Sequence, residues 1–123
     1  MDGSLLAGWA TWDAAYTSEA AYVEVHRTLD RTSREGRLTP QSLLAAEAEV
    51  ILLADAVKWV PVSREVIDTA SGPMPGILKA LDAIDIATAM SIRMAGAQDL
   101  IFATHDRRQA AAALALGFIV EGG

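Results

Sequence analysis

The sequence predicts one α/β domain with a central parallel β-sheet that is flanked by helices. Short apolar segments, such as 57–62 (VKWVPV) and 99–104 (DLIFAT), alternate along the chain with longer segments that have helical caps and stops. The length of 123 residues suffices for one hydrophobic core but not for two, and no linker or repeat divides the chain. We therefore interpret residues 1–123 as a single domain with right-handed crossovers between its strands.

The chain first predicts a strand end and a helix. Residues 14–18 (AAYTS) have the pattern of a strand end, and Ser18 is suited to cap the helix that follows. Glu19 is favourable in the first turn of this helix. We expect the helix to end near Glu35, because Gly36 suits a C-terminal stop.

A second helix and a buried strand come next. The helix begins at Thr39-Pro40, because proline is favoured at the first helical position, and it continues to about Ala56. The segment 57–62 then predicts a buried strand, and a short helix follows over 63–70.

The last third of the chain repeats the alternation. The glycine and proline residues of 71–76 (SGPMPG) indicate a loop. A helix is predicted over 80–95, a strand over 99–104, a helix over 106–116 and a last short strand over 118–120.

The composition excludes several classes of protein. A hydrophobic content of 52% is that of a globular chain and not of a disordered one. No apolar run reaches the roughly 18 residues of a membrane span, and residues 1–10 do not have the pattern of a signal peptide. The lack of cysteine excludes thiolate metal sites and is consistent with a cytoplasmic protein. A net charge of −6 counts against a protein that coats nucleic acid, but not against a metal-dependent nuclease.

Three acidic residues are expected at one edge of the sheet. Asp106 follows the strand at 99–104, Asp82 lies in the first turn of the helix at 80–95, and Glu24 lies on the first helix. Ligands of parallel sheets bind beyond the carboxyl ends of the strands, so these side chains are placed to converge. Carboxylates that converge repel each other unless a cation is present. Mg²⁺ and Mn²⁺ prefer oxygen ligands and can polarise a phosphodiester.

Three segments also carry a family resemblance. In residues 16–31 (YTSEAAYVEVHRTLDR) a serine is followed six residues later by a glutamate. Residues 81–90 (LDAIDIATAM) contain an Asp-Ala helix, and residues 99–118 contain a strand ending in Thr-x-Asp, then a helix and a glycine. In this order the segments resemble the PIN domain, in particular the VapC-type toxins of bacterial and archaeal toxin–antitoxin pairs.

The resemblance implies a PIN-like three-layer fold and a metal-dependent endoribonuclease. It implies that Glu24, Asp82 and Asp106 hold Mg²⁺ or Mn²⁺. Ser18 and Thr104 are candidate hydrogen-bond donors to these ligands, although a capping serine and a strand-end threonine explain them equally well. VapC substrates are usually structured RNAs such as tRNA. The implied partner is a VapB-type antitoxin whose C-terminal segment blocks the acidic pocket, and homodimers are usual.

The chain departs from the family at its N-terminus. The family opens with a central strand that ends in an aspartate, commonly within Asp-x-Ser. Here 15 residues precede Tyr16, and residues 4–10 (SLLAGWA) correspond to the tail of the helix after that strand. Asp2-Gly3-Ser4 mimics the motif, but no apolar strand precedes it. We therefore expect an N-terminally truncated PIN-like domain or a compensating dimer, with two strand edges left open.

Asp85 and the two histidines have several interpretations. Asp85 lies three residues after Asp82 on the same helix face, where the family often has a histidine or an aromatic residue. It is a candidate metal ligand, a carboxylate behind the ligands or a partner of an arginine. His26 does not share a helix face with Glu24, which favours a surface or packed role, and His105 is a candidate substrate contact.

The arginines of the first helix also have two interpretations. Arg27, Arg31 and Arg34 recur at helical spacing and could hold RNA phosphates. Alternatively, they form a solvated face with Asp30 and Glu35 as ion-pair partners.

Two other functions compete with the ribonuclease. A degenerate, non-catalytic PIN scaffold would bind or dimerise without cutting RNA, which the missing first aspartate favours. A different metal-dependent α/β phosphoesterase would instead act on small phosphodiesters.

Overall fold

The computed structural model describes residues 14–97 and 99–122. Helices and strands alternate, which confirms the predicted α/β class, and each predicted element is present at its expected place in the chain. The elements are β1 (Tyr16–Ser18), α1 (Glu19–Arg34), α2 (Pro40–Ala56), β2 (Lys58–Val60), α3 (Arg64–Ser71), α4 (Ala80–Met94), β3 (Ile101–Ala103), α5 (Arg107–Ala115) and β4 (Ile119–Glu121).

Local hydrogen bonds explain where the helices begin and end. The side-chain oxygens of Ser18, Thr39 and Ser63 each accept a hydrogen bond from a backbone N–H in the first turn of α1, α2 and α3, respectively. Such caps satisfy amide groups that have no partner within the helix. After α1, Gly36 adopts a φ of 70°, a left-handed conformation that glycine tolerates and that stops the helix.

The strands form two separate pairs instead of the single central sheet that was expected. Strand β1 pairs in parallel with β2, placing Tyr16 opposite Lys58, and β3 pairs in parallel with β4, placing Ile101 opposite Ile119. In the described ranges no hydrogen-bonded strand joins the two pairs. The prediction of a parallel sheet is therefore correct in its strand direction but wrong in its continuity.

A cleft of about 660 Å³ lies between the two pairs of strands. Consecutive residues of 14–18 and 100–103 line it. Side chains alternate between the faces of a strand, so consecutive lining residues mean that the backbone edges of β1 and β3 face the cleft. Within the described residues these edges have no strand partner.

Helix α4 packs against elements on both sides of the cleft. It contacts β1 of one strand pair and α5, which covers the other pair, and it also contacts α1 and α3. Its buried residues include Ala83, Ala87 and the fully buried Ile86. Small side chains let neighbouring elements approach closely, and burial of an isoleucine contributes about 1.5–3 kcal/mol to stability. The core therefore centres on α4 and not on a sheet.

Two contacts hold the C-terminal half of α4 against the turn after α5. The Arg93 Nη1 donates a hydrogen bond of 2.8 Å to the carbonyl oxygen of Leu116. The guanidinium carbon lies 4.0 Å from the ring centroid of the buried Phe118, in a cation–π arrangement. Arg93 thus binds α4 to the start of β4.

Helix α2 presents a large apolar surface to solvent. Leu44, Ile51 and Leu52 are 67%, 63% and 71% exposed, and no residue of this helix is buried among the described residues. Apolar side chains that cluster at a surface mark candidate interaction sites. In the parts of the chain that are described, no helix is long and apolar enough to cross a membrane.

The open edges predict an alternating pattern of amide hydrogen exchange. Lys58 N–H donates to the carbonyl of Ala15, and alternate residues of a strand face opposite sides, so the Thr17 amide faces β2 and the Tyr16 amide faces the cleft. We expect the Tyr16 amide to exchange at least about tenfold faster than the Thr17 amide, measured by NMR in D₂O. By the same reasoning, the Ala103 amide should exchange faster than that of Phe102. Equal protection on both sides would mean that a further strand occupies the cleft.

Candidate functional site

Four carboxylates from three helices come together beyond the carboxyl ends of β1 and β3. Glu24 lies on α1, Asp82 and Asp85 lie on the first half of α4, and Asp106 is the N-cap of α5. They are close enough for the charge of Asp82 to act on Glu24 and Asp85, and for that of Asp106 to act on Asp82. The structure therefore brings the three predicted acids, and Asp85, to the same edge.

The surroundings of Glu24 and Asp82 disfavour ionisation of their carboxyl groups. Partial burial, followed by repulsion from Asp82, raises the pKa of Glu24 above its ordinary value. Partial burial and then repulsion from Asp106 raise the pKa of Asp82, and Lys79 opposes the shift. Burial and like charge therefore favour the protonated form of both acids, and Lys79 opposes this only at Asp82.

Asp85 is the most strongly affected member of the cluster. Burial is the main cause, and it raises the pKa of this carboxyl to about 7, with a further contribution from Glu24. The side chain of Gln109 lowers the pKa, and Asp82 raises it slightly. Of the predicted roles, the ion pair with an arginine is not seen among the described residues.

Asp106 combines a capping role with its place in the cluster. Its Oδ1 accepts a hydrogen bond of 2.9 Å from the backbone N–H of Gln109, as expected for a helix cap. The backbone N–H of Asp106 donates in turn to the hydroxyl of Thr104, at 3.0 Å. The carboxylate is thus held at the start of α5 by one oxygen, and its second oxygen is not used by the cap.

Gln109 is the residue of this site that sequence reasoning missed. It is 6% exposed, its Oε1 accepts a hydrogen bond of 2.7 Å from Thr104, and its Nε2 donates to the backbone carbonyl of Asp82 at 3.2 Å. In the sequence, the one sign of its role was its position directly before the alanine-rich run of α5. A polar side chain on the buried face of such a helix requires hydrogen-bond partners.

Thr104 and Ser18, the candidate hydrogen-bond donors to the metal ligands, form hydrogen bonds with residues near them in the sequence. Thr104 is buried and donates to Gln109, while Ser18 is buried and accepts from the backbone N–H of Ala20 at 3.1 Å. The helix-capping interpretation of Ser18 is therefore confirmed. A hydrogen bond from either residue to a metal ligand stays a prediction.

The described residues do not contain a preformed cage for a metal ion. No three His, Cys, Asp or Glu side chains in 14–97 and 99–122 are placed to hold one together. Asp2, which belongs to the segment that mimics Asp-x-Ser, and residues 4–10 lie outside the described residues. A cation at this edge would therefore have fewer than three direct ligands from the described side chains in this arrangement.

The arginines of α1 form the ion pairs of the solvated-face interpretation. Arg27 and Arg34 lie 3.4 Å and 3.1 Å from the Asp30 carboxylate, and Arg31 lies 3.9 Å from that of Glu35. The arginine side chains are 67–79% exposed. Exposed pairs of this kind contribute about 0–1 kcal/mol, so a phosphate can replace the carboxylate partner at little cost.

The two histidines make backbone hydrogen bonds. His26 Nδ1 donates to the carbonyl of Tyr22 at 2.7 Å, and the centroids of the two rings lie 4.2 Å apart, so these contacts lie within α1. His105 Nδ1 donates to the carbonyl of Gly122 at 2.8 Å. The predicted substrate contact of His105 stays a prediction.

A comparison with known protein families, characterised proteins and solved structures finds no match to this chain.

The raised pKa of Asp85 predicts a loss of stability at neutral pH. The unfolded carboxyl has a pKa of about 4, so between about pH 4 and pH 7 the folded protein holds a proton that the unfolded chain releases. The free energy of unfolding should therefore fall as the pH rises through this interval, by up to about 4 kcal/mol for this group alone. Asp85→Asn should remove most of this dependence in urea unfolding with EDTA present. An unchanged pH dependence in the variant would contradict the assignment.

Proposed function

We propose that this protein is a PIN-type endoribonuclease of the VapC class that hydrolyses RNA phosphodiester bonds with the aid of a divalent cation. The observation that carries the proposal is the cluster of Glu24, Asp82, Asp85 and Asp106. Burial and mutual repulsion raise the pKa values of its first three members, and Lys79 is the cation that opposes the shift at Asp82. Bound Mg²⁺ or Mn²⁺ would relieve this repulsion.

The donor chemistry of the cluster fits such an ion. Carboxylate oxygens suit hard divalent cations, and Mg²⁺ is usually bound through one or two carboxylates while it keeps several waters. Asp82, in the first turn of α4, and Asp106, the N-cap of α5, are the residues we assign to hold it, because the charge of Asp106 reaches Asp82. When bound, the ion supplies an activated water and neutralises charge on the phosphate. Glu24, on the opposite helix α1, would orient that water.

Substrate binding would fall to the arginines of α1. Arg27, Arg31 and Arg34 are exposed and lie on the helix that also carries Glu24. Their guanidinium groups can hold phosphate oxygens by bidentate hydrogen bonds. Because the net charge is −6, we expect RNA binding to depend on this face and not on the overall charge. The proposed substrate is a structured RNA such as tRNA.

The exposed apolar surface supports the proposed protein partners. Leu44, Ile51 and Leu52 on α2, together with Val23 on α1, leave large aliphatic side chains in solvent. A homodimer or a VapB-type antitoxin would bury such side chains, each worth about 1.5–3 kcal/mol on full burial. These partners, and a cytoplasmic location, form part of the same proposal.

A degenerate scaffold is the second candidate. Two observations favour it: the described residues contain no group of three metal ligands, and the strands form two pairs with open edges at the cleft. Such a protein would retain the apolar surface of α2 and bind partners without cleaving RNA.

Replacement of Asp82 distinguishes the two candidates. Asp82→Asn keeps the size of the side chain and removes one charge from the cluster. We expect Mn²⁺-dependent cleavage of a tRNA substrate to fall at least about a hundredfold, because a ligand of the ion is lost. Gel-based cleavage assays with added Mn²⁺ or EDTA would measure it.

Asp55→Asn is the matched control, since Asp55 is an exposed aspartate of α2 and is not among the charges that act on Glu24, Asp82 or Asp85. It should cleave like the wild type. Metal-dependent cleavage that survives in Asp82→Asn would refute the site assignment, and a wild type that cleaves nothing would favour the degenerate scaffold.

A further inference from the structure

We propose that Gln109 is the positioning residue of the carboxylate site, which sets the placement of Asp82 relative to Asp106. This inference rests on the proposed function, and it concerns a residue outside the acidic cluster. Gln109 lies on the first turn of α5 and is 6% exposed. A glutamine that is so deeply buried is unfavourable unless its amide group is fully hydrogen-bonded.

The acceptor oxygen and the donor nitrogen of the Gln109 amide each have a hydrogen-bond partner. Its Oε1 accepts from the Thr104 hydroxyl at 2.7 Å, and its Nε2 donates to the Asp82 carbonyl at 3.2 Å. The oxygen and the nitrogen of this buried amide are therefore both hydrogen-bonded.

These bonds connect elements that carry different carboxylates. Asp82 and Asp85 belong to α4, whereas Asp106 precedes α5 and is held by the backbone N–H of Gln109. Thr104, at the end of β3, accepts a hydrogen bond from Asp106 N–H and donates one to Gln109. The chain of hydrogen bonds thus runs without a break from the Asp106 backbone to the first turn of α4.

The connection opposes a repulsive force. The carboxylates of Asp82 and Asp106 carry like charges near the starts of α4 and α5, and like charges repel. Without a link, the starts of α4 and α5 could relieve this repulsion by moving apart. Gln109 and Thr104 supply that link with uncharged groups, which add no charge to the cluster.

Two substitutions test the role of the amide. Gln109→Met has a similar length and removes the donor and the acceptor, while Gln41→Met makes the same change at an exposed position of α2. We expect Gln109→Met to weaken Mn²⁺ binding at least about tenfold in calorimetry, and Gln41→Met to leave it unchanged. If Gln109→Met does not fold, Thr104→Val removes the hydroxyl link from the strand side and should weaken Mn²⁺ binding in the same direction.

A variant with reduced stability separates positioning from packing. Val66→Ala leaves a cavity at a buried position of α3, a helix that takes no part in the hydrogen bonds of Gln109, and should lower the melting temperature. At a temperature at which every variant is folded, Val66→Ala should bind Mn²⁺ like the wild type. A loss of affinity in Gln109→Met but not in Val66→Ala would support positioning.

The outcomes are distinguishable from a failure of the proposed function. Equal Mn²⁺ affinity in the wild type and in Gln109→Met would overturn the positioning role and leave the metal site intact. Equal losses in Gln109→Met and Val66→Ala would also overturn it, because reduced stability alone would then explain both. A wild type without Mn²⁺ affinity would overturn the proposed function, and the positioning role would fall with it.

Discussion

The packing of helix α4 is the constraint on which the rest of this structure depends. The described strands form two pairs that do not bond to each other, and α4 contacts elements on both sides of the cleft between them. Its alanines permit close approach and Ile86 is completely buried. Arg93 fixes one end of the helix to the start of β4, and Gln109 fixes the other end to α5. The position of the carboxylates is therefore a consequence of how this helix packs.

Stability and proposed function make opposite demands on the first two turns of α4. Burial and like charge raise the pKa of Asp82 and Asp85, so ionised carboxylates at this edge lower the stability of the folded protein. An apolar residue at position 85 would avoid that cost. A bound cation relieves the same repulsion. The clustered carboxylates are therefore tolerated when a cation or a proton is bound. Without an ion, the uncharged hydrogen bonds of Gln109 link the start of α4 to the start of α5.

Local sequence signals predicted the elements well, because caps and stops act over a few residues. Ser18 caps its helix as predicted, and the helices after Thr39 and Ser63 begin where the sequence placed them. The acids after β1 and β3 lie close enough for their charges to interact through Asp82. The split sheet follows from long-range pairing, which strand patterns do not encode. Gln109 was missed for a similar reason: its partners Thr104 and Asp82 lie 5 and 27 residues away, on other elements. The family resemblance and the activity that it implies stay predictions.

Paramagnetic broadening by Mn²⁺ shows which residues lie near a bound cation. Mn²⁺ is added at substoichiometric amounts to the isotope-labelled protein, and the amide signals of the whole chain are followed by NMR. We expect signals near Glu24, Asp82 and Asp106 to broaden first, and an excess of Mg²⁺ to restore them. Broadening that begins instead at exposed acids such as Glu47 and Asp55 of α2, or that is uniform along the chain, would contradict the claim that this cluster binds a cation.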